Sequence, residues 1–230
     1  MEATFPLALE YAFEKILKGK RQEQKFIQSL FIKLDEWLKC SCESVYHYTV
    51  RYYLEEYYKK NYENKYLIKD EQTIGGLLKN LPINNGLSNE GKDIKRRRID
   101  IAILEKNGGK VKEMVEMKMG KWEHHHISNS DFKKRFKRDV EKLVCMKEIK
   151  PEIRCYLLKI THVIPYSKKD KIENLTNTYR ETIVNRFNRC FEGYEMKLVN
   201  KVKAYTISVP EEEVKALVYH LWEIVECTPI

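Results

Sequence analysis

The stretch that decides the fold is Arg98-Ile99-Asp100-Ile101-Ala102-Ile103-Leu104. It is followed by Asn107-Gly108-Gly109 and then by Val111-Lys112-Glu113-Met114-Val115-Glu116-Met117-Lys118-Met119. Two runs of β-forming residues around an Asn-Gly-Gly predict a hairpin. Side chains alternate faces along a strand. Ile99, Ile101 and Ile103 point one way, and Asp100, Ala102 and Leu104 the other. On the second strand Val115, Met117 and Met119 share a face, opposite Glu116 and Lys118. A three-residue turn at 107–109 sets Asp100 directly across from Glu116, with Cβ atoms about 5 Å apart. A slip of one residue would put the two carboxylates on opposite faces.

Carboxylates that close repel, and without a cation one tends to take up a proton. Mg²⁺ relieves the repulsion, because it favours one or two carboxylates completed by water and phosphate oxygens. Lys118, one step along the same face, is suited to hold an attacking water or to offset charge on a scissile phosphate. A solvated sheet face with an incidental Asp/Glu/Lys cluster is the alternative reading.

Working outward, residues 6–18 and 22–39 read as amphipathic helices separated at Gly19-Lys20. A third helix runs from about Ser41 to Lys60, and eight of the fifteen tyrosines lie between Tyr46 and Tyr66. Residues 65–74 suggest a strand, and Gly75 to Lys95 a long loop. After the hairpin come a basic amphipathic helix at 131–149, a buried strand from Ile153 to Pro165 and a helix at 170–191. A strand pair near 195–209 and a final helix from Pro210 complete the chain. This order predicts a mixed α/β domain over residues 41–230, with a helical extension over residues 1–40.

The chain has 230 residues, 43% of them hydrophobic, which is enough for a sizeable core and excludes global disorder. Its 43 Lys+Arg against 34 Asp+Glu give a net charge of +9, which favours a polyanionic partner or follows from Lys-rich codon usage. No apolar run approaches the ~18–20 residues of a membrane span, so no membrane partner is expected. The N-terminus lacks the pattern of a secretory signal, and the six scattered cysteines form no zinc motif. The expected location is cytoplasmic, or intracellular in a viral context.

Ile99-Asp100, Glu116-Met117-Lys118, the helix Phe136-Lys137-Arg138-Asp139-Val140-Glu141-Lys142-Leu143 and the strand from Ile153 together resemble the PD-(D/E)xK nuclease superfamily. The resemblance covers roughly residues 41–165, and the order of elements carries most of it. Ile99 stands where many members have Pro. The resemblance implies a restriction-endonuclease-like core, a mixed central sheet flanked by helices, and metal-dependent hydrolysis of phosphodiester bonds. DNA is the expected substrate ahead of RNA. It implies that Asp100, Glu116 and the carbonyl of Met117 bind Mg²⁺ or Mn²⁺, and that Lys118 positions the water. It also implies a Glu on the first core helix. At about 100° per residue, Glu43 shares the core-facing stripe of Val50 and Leu54, whereas Glu55 and Glu56 do not. A carboxylate favoured at a helix start is the other reading of Glu43.

Two basic runs flank the proposed site. The first includes Arg96, Arg97 and Arg98; the second includes Lys134, Arg138 and Lys142, with Lys142 best placed to reach the site. Both suit phosphate contact. His124-His125-His126 suits a loop better than a metal site, and Tyr53 and Tyr57 suit the core. The helices before residue 40 could form a homodimer interface or a recognition arm. The alternative to a nuclease is a catalytically inactive nucleic-acid-binding or regulatory protein on the same fold.

Overall fold

The computed structural model describes residues 4–18, 43–77, 96–122, 129–163, 172–192, 194–199, 203–207 and 215–226. Helix α1 (Phe5–Lys18) and helix α2 (Glu43–Asn61) precede strand β1 (Tyr66–Thr73) and a single helical turn at Ile74–Leu77. Strands β2 (Arg98–Glu105) and β3 (Val111–Trp122) follow, then α3 (Asn129–Ile149), β4 (Arg154–Val163) and α4 (Ile172–Cys190). The chain ends in β5 (Glu195–Leu198), β6 (Lys203–Ile207) and β7 (Lys215–Glu226). The expected helix at 22–39, most of the expected loop at 75–95 and the three histidines lie outside the described residues.

The protein is α/β. Seven strands form one mixed sheet in the order β1-β2-β3-β4-β7-β5, with β6 also paired to β7. Among the described strands only β3 and β4 run parallel, and α3 makes the crossover between them. Apolar residues cover both faces. On one face Phe5, Leu9, Ala12 and Phe13 of α1 and Tyr46, Val50, Tyr53 and Leu54 of α2 pack over Ile101, Val115, Met117, Tyr156 and Leu158. On the other face Phe132, Phe136, Val140 and Leu143 of α3 and Tyr179, Ile183 and Phe187 of α4 pack over Ala102, Met114, Leu157 and Trp222. Sheet strands buried on both faces are what helix layers on each side require. The apolar stripe of α1 is spent inside this core, with Phe5 stacked on Tyr156 and Phe13 on Tyr219.

Two expectations are corrected. Residues 215–226 form strand β7 and not part of a helix from Pro210. β7 pairs along its length with β4, and its alternating Tyr219 and Leu221 against Val218 and Trp222 fill the two opposite cores. Cross-strand burial on both faces overrides the helix-start signal of Pro210 and its three glutamates. β5 and β6 are strands as expected, but each pairs with β7, not with the other.

The hairpin has the expected facing residues by a different route. Glu105 N–H donates to the Lys110 carbonyl at 2.8 Å, closing a four-residue loop that contains Gly108 at φ 109 and Gly109 at φ 63. Both glycines occupy backbone conformations that side chains disfavour. A register shift between Ile103 and Leu104 then restores the pairing of Ile101 with Val115. A loop one residue longer and a bulge therefore cancel.

Candidate functional site

Strand β2 loosens from both neighbours at Asp100. On the β1 side the ladder pairs Asp70 with Ile101 and Gln72 with Ile99. Glu71, which lies across from Asp100, has φ 45 and is not paired. A non-glycine residue there is uncommon and such strain collects at functional sites. On the β3 side the ladder ends at Ile101 with Val115. Side chains take over the bonds that a regular strand would make. Met117 N–H donates to Asp100 Oδ2 at 2.7 Å, and His47 Nε2–H donates to the Asp100 carbonyl at 2.8 Å. Lys142 donates to the Arg98 carbonyl at 2.7 Å. The same irregularity explains why Ile99 packs with Ala102 and Leu104, on the face opposite to the one expected from alternation.

Glu116 is 1% exposed and lies on the α3 side of the sheet. The ammonium of Lys142 stands 2.6 Å from its Oε1. Burial pushes the Glu116 carboxyl well up from its ordinary value, the nearby Asp100 charge pushes it further, and Lys142 opposes both. Asp139, one turn before Lys142 on α3, bridges two lysines. Its Oδ1 is 3.7 Å from Lys142 Nζ, and its Oδ2 is 3.3 Å from Lys118 Nζ. Asp100, Glu116, Lys118, Asp139 and Lys142 thus form one ionic cluster between β2, β3 and α3.

Of the predicted residues, Asp100 and Glu116 are close enough to influence each other's charge, and Lys118 is linked to Glu116 through Asp139 and Lys142. Met117 lies between Glu116 and Lys118, its side chain buried in the opposite core. Glu43 opens α2, four residues before His47, and its side chain lies outside the described residues. Arg96 and Arg98 are exposed and Arg97 is half-buried. Lys134 and Arg138 lie on the exposed face of α3 beside Lys133, Arg135 and Lys137. Lys142 reaches the site, as expected, and there it is buried against Glu116. Its position on α3 turns it inward, one turn from Asp139 and beside Leu143.

Two participants escaped the sequence reading. Asp139 falls within the apolar stripe of Phe132, Phe136, Val140 and Leu143, and a carboxylate on a core-facing stripe is itself a signal. His47, read as flanking the α2 stripe, gave no hint that it would bond the Asp100 backbone, since that contact depends on how α2 crosses β2.

The donor chemistry suits a hard divalent ion. Asp100 and Glu116 supply carboxylate oxygens, and their mutual repulsion is what such an ion would relieve. Among the described residues no group of three or more His, Cys, Asp or Glu side chains is arranged to hold a metal. An ion here would therefore draw much of its coordination from water and substrate. No helix among the described residues is long and apolar enough to cross a membrane. No family model matches the chain, and no curated protein or solved structure matches it significantly.

Proposed function

We propose that the protein is a metal-dependent nuclease that hydrolyses phosphodiester bonds, with DNA preferred to RNA, on a restriction-endonuclease-like core. The observation that carries this reading is the Asp100–Glu116 carboxylate pair where β2 loosens from β3, with Lys118 linked to it through Asp139 and Lys142. Asp100, Glu116 and the Met117 carbonyl would hold Mg²⁺ or Mn²⁺, with Glu43 a further ligand and catalytic carboxylate. When bound, the ion would polarise the scissile phosphate and acidify a water. Lys118, held by Asp139, orients that water. His47 and Lys142 hold the backbone of β2 at Asp100 and Arg98, which fixes the carboxylate pair. Arg96, Arg97, Arg98, Lys134 and Arg138 supply the basic lining for the phosphate backbone.

The test is cleavage of single- and double-stranded DNA and RNA with Mg²⁺ or Mn²⁺. Cleavage by the wild type that disappears in both Asp100→Asn and Glu116→Gln supports the proposal. Absence of cleavage on every substrate, or cleavage surviving either substitution, refutes it.

One observation favours a second reading. Lys142 already lies on Glu116, so the carboxylate is compensated without a metal. A catalytically inactive nucleic-acid-binding or regulatory protein on this scaffold would use the cluster only for structure. It would bind nucleic acid with salt-dependent affinity and would not bind Mn²⁺ at Glu116.

A further inference from the structure

A second set of side chains meets around the start of β3, where they line a cleft of about 590 Å³. None of these residues belongs to the ionic cluster at Asp100 and Glu116. Small-molecule sites enclose roughly 300–1,000 Å³. The turn after α2 and the start of β1 give Tyr62 and Tyr66 to the wall. The hairpin and the start of β3 give Lys110 and Lys112. The last turn of α3 gives Lys147, and the first residue of β4 gives Arg154. Lys110 is exposed, as are Pro151 and Glu152 in the turn between α3 and β4, so the cleft opens to solvent.

Backbone bonds hold these walls in place. Lys106 N–H donates to the Lys65 carbonyl at 2.8 Å, tying the hairpin to the turn before β1. Ile153 N–H donates to the Lys150 carbonyl at 3.0 Å and closes the turn after α3. A cleft formed before its ligand arrives loses little to ordering. Its basic groups are held as well. Lys147 Nζ donates to the Pro151 carbonyl at 2.6 Å and to the Ile153 carbonyl at 3.3 Å. An ammonium has three N–H donors, and both of these acceptors are neutral, so they leave the charge of Lys147 in the wall. Lys112 has Glu105 at 2.9 Å, and Arg154 has Glu223 at 3.8 Å. Of the carboxylates in the lining, Glu113 is 3% exposed and accepts from Thr4 N–H and the Tyr58 hydroxyl, while Glu152 has Lys150 at 3.9 Å. The Tyr62 and Tyr66 rings meet edge to face with centroids 5.3 Å apart. An aromatic corner beside basic donors suits a flat ring that carries a phosphate.

We propose that this cleft binds a nucleoside phosphate, with its base against Tyr62 and Tyr66 and its phosphate on Lys112, Lys147 and Arg154. Stacking on tyrosine tolerates any base, because every base has a π-face. The planar guanidinium of Arg154 matches a phosphate with two parallel bonds, and the lysines add point charges. The cleft is separate from the Asp100–Glu116 pair, so the proposal holds whether or not the protein cleaves nucleic acid.

The experiment titrates adenosine monophosphate, adenosine and inorganic phosphate into the whole protein by calorimetry. Expected is binding of the nucleotide that is tighter than that of either fragment. It should weaken about tenfold in Lys147→Met, through loss of one charge-assisted contact, and about tenfold in Tyr66→Leu, through loss of stacking. Lys133→Met, on the exposed face of α3, should bind like the wild type. A companion measurement on the wild type is acetylation of Lys110 and Lys147 read by mass spectrometry, which the nucleotide should slow. That readout stands even if a variant does not fold. No binding at millimolar nucleotide, or no protection of either lysine, overturns the proposal. Inorganic phosphate or adenosine binding as tightly as the nucleotide overturns it too, since one half of the ligand would then play no part. Nucleotide binding that survives Lys147→Met but is lost in Glu116→Gln places the ligand at the carboxylate pair and likewise overturns it.

Discussion

Lys142 Nζ lies 2.6 Å from Glu116 Oε1, joining helix α3 to the centre of the sheet by a buried ion pair. The Lys142 side chain is 8% exposed and also donates to the Arg98 carbonyl, so one ammonium holds together β2, β3 and α3. A buried ion pair adds little over a well-packed apolar pair, but removing one partner leaves the other charge uncompensated.

Lys142→Met should therefore destabilise the protein by about 3–5 kcal/mol at neutral pH, read by urea denaturation. Lys142→Met/Glu116→Gln should recover much of that loss, because the orphaned charge is gone. If Glu116 is a metal ligand, Mn²⁺ should raise the stability of Lys142→Met more than that of the wild type, since the ion replaces the missing cation.

Asp100 has a structural task separable from any chemistry. Asp100→Asn keeps a carbonyl oxygen to accept the Met117 N–H and should fold with stability close to wild type. Asp100→Ala leaves that N–H without its acceptor and should cost about 1–3 kcal/mol. Both should abolish metal-dependent cleavage. Cleavage retained in Asp100→Asn would show that the negative charge is not needed.

At the other end of β3, buried Glu113 accepts hydrogen bonds from Thr4 N–H at 3.2 Å and from the Tyr58 hydroxyl at 3.1 Å. Burial raises its carboxyl above the ordinary 4.5, against the lowering effect of those bonds. The folded state then holds the proton more tightly than the unfolded chain. The associated stability is present below about pH 4.5 and is lost as pH rises through the raised folded value. Glu113→Gln cannot titrate, so its advantage over wild type should grow with pH across that window. Urea midpoints that run parallel in the two proteins would contradict the shift.

Strand β7 carries Trp222, the largest fully buried side chain among the described residues, in the core under α3 and α4. Trp222 stacks on Phe187 with centroids 4.1 Å apart. Trp222→Ala should cost about 3–5 kcal/mol by cavity formation, measured as a lowered urea midpoint. An exposed tyrosine such as Tyr48, cut to alanine, should cost far less.

The sequence by itself determined the α/β class, the hairpin and the shared face of Glu116 and Lys118, while alternation broke down at Ile99 and Asp100. Those follow from strand alternation and from an Asn-Gly-Gly turn, both of which act over a few residues. It also placed the apolar stripe of α3, because helical period is local. Only the tertiary structure decided the fate of residues 215–226. Their strand form depends on pairing with β4, while their local signals began a helix. The sequence already singled out Lys142 as the residue of α3 that reaches the site; the tertiary structure alone decided that its ammonium pairs with Glu116, and that His47 reaches the Asp100 carbonyl. It alone brought Tyr62, Lys112 and Lys147 to one cleft from positions far apart in the chain. Such contacts depend on register and on helix crossing over the sheet, which local periodicity does not encode.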